Sequence, residues 1–327
     1  MPKSGKRAAS LIWHLVALAV VAAAAWHFID FHDLWTTLRR AQWHWLYLLL
    51  ALATLDRFLM AGKWHQLLRQ AGNSATFPLV LNAYYQAAIL QRLFPTSLGG
   101  DAVRAIIISG RAGGTSGVVA TMVVEKLVAM LAAVFIAISG ALLALSDGTR
   151  VTSGTLVAVI PLLLVLTLVG LRISLHRPLV EWFIGWIPGQ RLRRGLLGVY
   201  NDYAGFRNAP GVLFRNFLYC IVEQAVQVAL LLGCAMALQV DASISTLIAA
   251  ISIAQCLRKF AILLEGWLLG EFTMVFICSL FGVPESQALA FSLLGHAVAV
   301  VAATPGLLLF ARSTVRLRDI KTREGIQ

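Results

Sequence analysis

The chain has 327 residues, 59% of them hydrophobic and only 13% charged, with a mean hydropathy of +0.80. A soluble domain carries about 25% charged residues, so a soluble fold is excluded and most of the chain must face lipid. The formal net charge of +12 comes from basic residues flanking apolar runs, without the aromatic-interleaved patches of RNA binders. An anionic membrane surface accounts for it, and nucleic acid does not.

Residues 11–29 form the first apolar run, after Lys3, Lys6 and Arg7. The basic start and Ala-rich end resemble a signal peptide, but about 19 residues are enough to cross a bilayer, and an uncleaved helix is expected. The second run covers residues 43–68, with Asp56 and Arg57 inside it. Residues 77–110 then read FPLVLNAYYQAAIL, a break FPTSLGGDAVR, and a short apolar piece. Pro95, Gly99 and Gly100 do not fit a continuous helix, and the piece after them is too short to cross. Two half-helices joined at a Gly-rich tip, a re-entrant hairpin, are expected.

A full span follows at 118–145, carrying Glu125 and Lys126. Residues 155–173 cross back, with a kink expected at Pro161. Residues 172–216 mix Trp182, Phe183, Trp186, Tyr200, Tyr203 and Phe206 with Arg191, Arg193 and Arg194. That is the composition of a cytoplasmic segment lying on the membrane surface. Residues 217–238 cross again with Glu223 inside. Residues 244–281 repeat the hairpin pattern, with Arg258 and Lys259 before the tip EGWLLGEF. The last span, 288–310, contains His296 and Pro305 and leads into a basic tail. Cys220, Cys234, Cys256 and Cys278 all lie in apolar stretches without metal-ligand spacing and read as core residues.

The fold class expected is an all-α polytopic membrane protein: one integral membrane domain over 1–327, with six full spans and two re-entrant broken-helix hairpins. Its first half runs over 11–145 and its second over 217–310. Six spans put both termini on one side, taken as the cytoplasm of a bacterial inner membrane. On that assignment Arg39, Arg40 and Arg150 lie outside, and Arg57, Arg92, Lys126, Arg258 and Lys259 lie at membrane depth. The other 19 of the 27 Lys and Arg, Lys63 and Arg104 among them, fall to the cytoplasmic side, as the positive-inside rule requires.

The two hairpin regions share a spacing. Asp101 to Ser116 is 15 residues, as is Glu271 to Ser286; Asp101 to Glu125 is 24, and Glu271 to His296 is 25. Three full spans between the hairpins turn the second copy upside down relative to the first. Inverted repeats with broken helices are a transporter signature.

Ionisable groups inside a membrane are costly and mark substrate pathways or pairs that pin helices together. The candidate substrate-binding set is Arg92, Gly99, Gly100, Asp101, Arg104, Glu125, Lys126, Arg258, Lys259, Gly270, Glu271 and His296. A half-helix starting near Asp101 presents N–H groups and the positive end of its dipole, and Arg104 and Arg92 complete a phosphate-shaped site. Asp101 itself either caps the helix or pairs with Arg104 at i,i+3. Adjacent helix residues face apart, so Glu125 and Lys126 need different partners, with Arg92 or Arg104 offered to Glu125. His296 is either structural or titrates near neutral pH. No G-x-S-x-G, H-E-x-x-H or Walker motif is present, so no enzyme, no cofactor and no metal are expected.

LQRLFPTSLGGDAVR at residues 90–104 and GVVATMVVEKL at 117–127 resemble the flippase-like membrane domain of lysylphosphatidylglycerol synthases and its stand-alone relatives. The shared features are Pro95, the Gly99-Gly100-Asp101 tip, Arg104 and the Glu125-Lys126 dipeptide. In the second half they are Gly266, Gly270, Glu271 and ALAFSLL from Ala288. Two departures stand out. The acid–base pair ends in Lys126, which cannot fork a phosphate as Arg does, and the second tip lacks an Arg before Glu271. The resemblance implies a lipid translocase for a phospholipid or lipid-linked anion, with anionic membrane lipids as partners. In the synthases an aminoacyl-transfer domain follows the membrane part; with Gln327 ending the sequence soon after the last span, that activity is expected to be missing. A small-anion secondary transporter and an accessory subunit of glycolipid or hopanoid synthesis are the alternatives. A homo-oligomer or a biosynthetic enzyme partner is left open.

Overall fold

In the computed structural model of the chain the described residues are 42, 44–93, 98–112, 114–147, seven positions between 161 and 172, 176–187, 189–260 and 267–306; the side chains of 89–93, 98, 111–112 and 267–269 are outside the description. These residues form ten α-helices and no strand. In chain order they are α1 (Trp45–Gln70), α2 (Phe77–Leu93), α3 (Leu98–Ala112), α4 (Thr115–Ser146), α5 (Arg177–Gly185), α6 (Gln190–Gly205), α7 (Pro210–Ala237), α8 (Ile244–Phe260), α9 (Trp267–Leu280) and α10 (Glu285–Ala303). A 3-10 turn, Phe206–Asn208, links α6 to α7. The protein is an all-α membrane protein.

Four of these helices, α1, α4, α7 and α10, are long and apolar enough to cross a membrane. They match the expected spans at 43–68, 118–145, 217–238 and 288–310. The run at 11–29 lies outside the described residues, as does most of 155–173. The helices outrun their apolar cores: α1 continues to Gln70, and α7 starts at Pro210 rather than at 217. Gly72 (φ +75°) and Gly282 (φ +78°) adopt the left-handed backbone that ends α1 and α9, a region few side-chain-bearing residues tolerate.

The paired helices α2/α3 and α8/α9 pack against each other within each pair. At 1.5 Å per residue their 17, 15, 17 and 14 residues reach only about 21–26 Å, short of the ~30 Å hydrocarbon layer. The tips between them, 94–97 and 261–266, lie outside the described residues, and Gly266 with them.

Small residues set the closest crossing. Ala133, Ala137, Gly140 and Ala144 form one buried stripe on α4, spaced to fall on a single helix face. A Cβ at Gly140 would sit 3.3 Å from the Ala249 Cα and from the Ile248 carbonyl of α8. Close backbone approach is how helices gain contact in lipid, where burial of apolar surface supplies no drive. The core continues through Leu49, Leu231, Ile251, Met274 and Phe291. A second core of Trp64, Val80, Tyr84, Ile108 and Val118 joins α1 to α4 around the α2/α3 pair.

The segment expected to lie on the membrane surface divides in two. α5 exposes Trp182 and Phe183, and Trp186, which caps it, is exposed as well. In contrast, Tyr200, Tyr203 and Phe206 are buried against Ala120, Val124 and Cys220 of α4 and α7. The aromatic composition did not separate these cases, because a docking face and a lipid face use the same residues. All four cysteines are buried and free.

Replacing Gly140 by Leu should lower stability by about 1–3 kcal/mol through overpacking, read as a lower melting temperature of the detergent-purified protein. Gly195→Ala, on an α6 site where a Cβ meets nothing within 4 Å, should be neutral or slightly stabilising. An unchanged melting temperature for Gly140→Leu would show that α4 and α8 do not meet there.

Candidate functional site

The charged side chains of α1, α3, α4 and α7 converge. Lys63, 2% exposed, pairs with Glu223, which is fully buried. The same ammonium is 3.5 Å from Glu125 Oε1. Glu125 accepts a hydrogen bond from the Tyr84 hydroxyl at 2.6 Å and one from Arg104 Nη1 at 3.2 Å. Arg104 Nη2 donates to Asp101 Oδ1 at 2.5 Å, and Lys126 Nζ is 2.6 Å from Asp101 Oδ2. At the other end Gln227 Nε2 bridges Glu223 and Asp56, donating at 2.9 Å and 3.1 Å, and Asp56 is 3.5 Å from Arg57. The result is one continuous chain of alternating charge across four helices.

Two aromatic rings hold the middle of that chain. The Arg104 guanidinium carbon lies 4.8 Å from the Trp64 ring centroid and 4.4 Å from that of Tyr84. The two rings meet edge to face at 5.7 Å. Trp64 is fixed in turn by its Nε1–H, which donates to Thr121 Oγ1 at 2.9 Å. A cation stacked between ring faces keeps its charge without the full cost of leaving water.

This network walls a cavity of about 190 Å³. Its lining includes Arg57, Lys63, Arg104, Lys126 and Lys259 on the cationic side and only Asp101 and Glu125 on the anionic side. Gly100, at the start of α3, also lines it. Among the described residues Lys259 has no ion-pair partner, and no group of His, Cys, Asp or Glu could hold a metal ion.

The family model described as "Lysylphosphatidylglycerol synthase TM region" matches residues 14–306. The chain belongs to this family. No curated protein matches it. Membership makes it a multi-pass membrane protein tied to lipid metabolism, as the motifs at 90–104 and 117–127 implied.

In this family member the expected site residues fall into two places. Gly100, Asp101, Arg104, Glu125, Lys126 and Lys259 meet at the cavity. Asp101 lies inside the first turn of α3 and pairs with both Arg104 and Lys126. Glu125 takes Arg104, as offered, and the adjacent Lys126 takes Asp101. Gly99 is half-buried beside Gly100. The side chain of Arg92 lies outside the description.

Arg258, Gly270, Glu271 and His296 form a separate cluster that does not line the cavity. His296 Nδ1 is 2.5 Å from Glu271 Oε1, the pair that the 25-residue spacing anticipated. A Cβ at Gly270 would sit 3.1 Å from Arg258 Nε, so the guanidinium lies against the α9 backbone. Arg258 also donates to Gln255 at 3.2 Å.

Lys63 and Arg104, counted on the cytoplasmic side, are both buried within the protein, Lys63 at the centre of the network. Tyr84, Trp64 and Gln227 were not foreseen. Seven further helical residues follow Lys63 in α1, about 10 Å of helix.

Lys63→Met should destabilise the protein by about 3–5 kcal/mol, because it leaves two buried carboxylates short of their counter-charge. Adding Glu223→Gln should return part of that loss. A double-mutant cycle on detergent melting temperatures checks it; simple additivity would mean that the two groups do not interact.

Proposed function

We propose that this protein is a lipid translocase that moves a phospholipid or lipid-linked anion between leaflets, with the headgroup in the polar cavity and the tails in lipid. One observation carries the reading: five cationic side chains against two carboxylates line a cavity among helices long and apolar enough to span a membrane. The first turn of any helix presents N–H groups without intrahelical partners and a positive dipole end. α3 aims that end, at Gly100 and Asp101, into the cavity. Lys259 supplies a cation that makes no ion pair among the described residues.

The α2/α3 and α8/α9 pairs are read as two re-entrant hairpins related by an inverted repeat. Their short arms and the matching order of short helix, short helix, full span support that reading. The basic flanks set both termini in the cytoplasm of a bacterial inner membrane. The protein carries no enzyme activity of its own in this reading, and uphill transport needs a coupled ion.

Reconstitution in liposomes with leaflet-labelled lipids tests the function. Wild type should exchange anionic lipids faster than empty liposomes, and Lys259→Gln should slow that exchange by roughly fivefold, the order of one cation near a phosphate. Exchange equal to that of empty liposomes for every headgroup would remove the translocase reading. For the hairpins, Gly99→Cys in a background with the four native cysteines replaced should react with a water-soluble maleimide from one side, at a depth partway through the bilayer. Complete protection from both sides would argue for an unbroken span.

A further inference from the structure

On the far side of α1 from the cavity, a second concave site opens between the last turns of α1 and the first turns of α7. It has a volume of about 480 Å³ and includes His65, Gln66, Arg69, Phe77, Arg215 and Tyr219 in its lining. No carboxylate lines it, and neither Arg69 nor Arg215 has an ion-pair partner among the described residues. The Tyr219 ring closes its floor, lying 3.6 Å from where a Gly62 Cβ would be. Phe77 stands edge-on to His65 with centroids 5.9 Å apart. Gln66 is anchored by donating to the Val212 carbonyl at 3.2 Å. Its Oε1 is buried and has no hydrogen-bond partner among the described residues.

The apolar surface leading to this site has a matching form. Leu55, Phe58, Gly62, His65 and Arg69 follow one face of α1, and Phe214, Leu218 and Val222 follow one face of α7. Leu55, Phe58, Phe214, Leu218 and Val222 are all exposed. From Leu55 to Arg69 the stripe runs about 21 Å, more than the ~15 Å of one leaflet's hydrocarbon. Two neighbouring apolar stripes thus end in two arginines and a histidine.

We infer that this groove is a binding site for an anionic phospholipid: Arg69 and Arg215 hold the phosphate, and the acyl chains lie along Phe58, Phe214, Leu218 and Val222. Arginine suits the role because its planar fork bonds two phosphate oxygens together. The site is independent of translocation. It holds a lipid whether or not the cavity passes one, and its acid-free wall leaves the phosphate no competitor, unlike the Asp101-filled cavity.

Photoreactive phosphatidylglycerol with the label in its acyl chain tests this on the full-length protein in mixed micelles. Cross-links are expected in peptides covering 55–70 and 211–222. Arg69→Gln with Arg215→Gln should reduce them about tenfold or more, given roughly 1 kcal/mol for each basic residue near a phosphate. Arg69→Lys with Arg215→Lys, which keeps the charge and loses the fork, should label more than the double Gln variant and less than wild type, which separates lost charge from lost fold. Three results would each overturn the proposal: equal labelling of the double Gln variant, equal labelling by photoreactive phosphatidylcholine, or loss of labelling to millimolar inorganic phosphate, which would make the groove a small-anion pocket. Intact labelling without any leaflet exchange would leave this site standing and sink the translocase reading alone.

Discussion

The bundle depends on one buried ammonium. Lys63 lies in a span of α1 with almost no exposure, where an unpaired charge costs several kcal/mol. It persists because Glu223 arrives from α7 and Glu125 from α4. Those three helices therefore have little freedom to rotate. One residue of slip turns a helix by about 100° and takes its carboxylate out of reach. Asn216 adds a second fixed point, donating to the Lys63 carbonyl at 2.9 Å. The small-residue crossing of α4 and α8 sets how close the helices come, and the ions set which faces meet.

The division of labour between Arg104 and Lys126 follows from their geometry. Arg104 forks between Asp101 and Glu125, using two nitrogens in one plane, while its faces rest on Trp64 and Tyr84. No ammonium can do both. Lys126 meets a single oxygen of Asp101, a point contact for which a point charge is enough. The departure from an acid–Arg dipeptide at 125–126 therefore leaves the network complete, because the fork is supplied by α3.

Much of the fold was legible because a membrane imposes long apolar runs, and four of them became helices long and apolar enough to span, near their expected places. The Asp101–Arg104–Glu125–Lys126 constellation was legible as charges where hydrocarbon is expected, and Glu271–His296 as a matching interval. What spacing does not encode is which faces turn together across different helices. Glu271 and His296 share the register of Asp101 and Glu125, yet they form their own pair away from the cavity. KWHQLLRQ reads as a basic flank, and the burial of Lys63 within it comes from α4 and α7, which bring Glu125 and Glu223 against it. Tyr84 and Trp64 gave no signal, since an aromatic residue serving a guanidinium looks the same in sequence as one filling a core.

The charges of the network balance: Arg57, Lys63, Arg104 and Lys126 stand against Asp56, Asp101, Glu125 and Glu223. An anion reaching Arg104 or Lys126 therefore meets an occupied site and has to displace the Asp101 carboxylate. Of the four acids Asp101 is the natural one to yield, because its side chain is 20% exposed while those of Asp56, Glu125 and Glu223 are 7%, 5% and 0% exposed. In the translocase reading, a carboxylate released toward the open part of the cavity would regain water, and a phosphate in its place would keep both cations paired. Lys259 would then offset the added negative charge. Exchange of one anion for another at constant pairing is the low-cost route through such a site, since at no step does a buried cation stand alone.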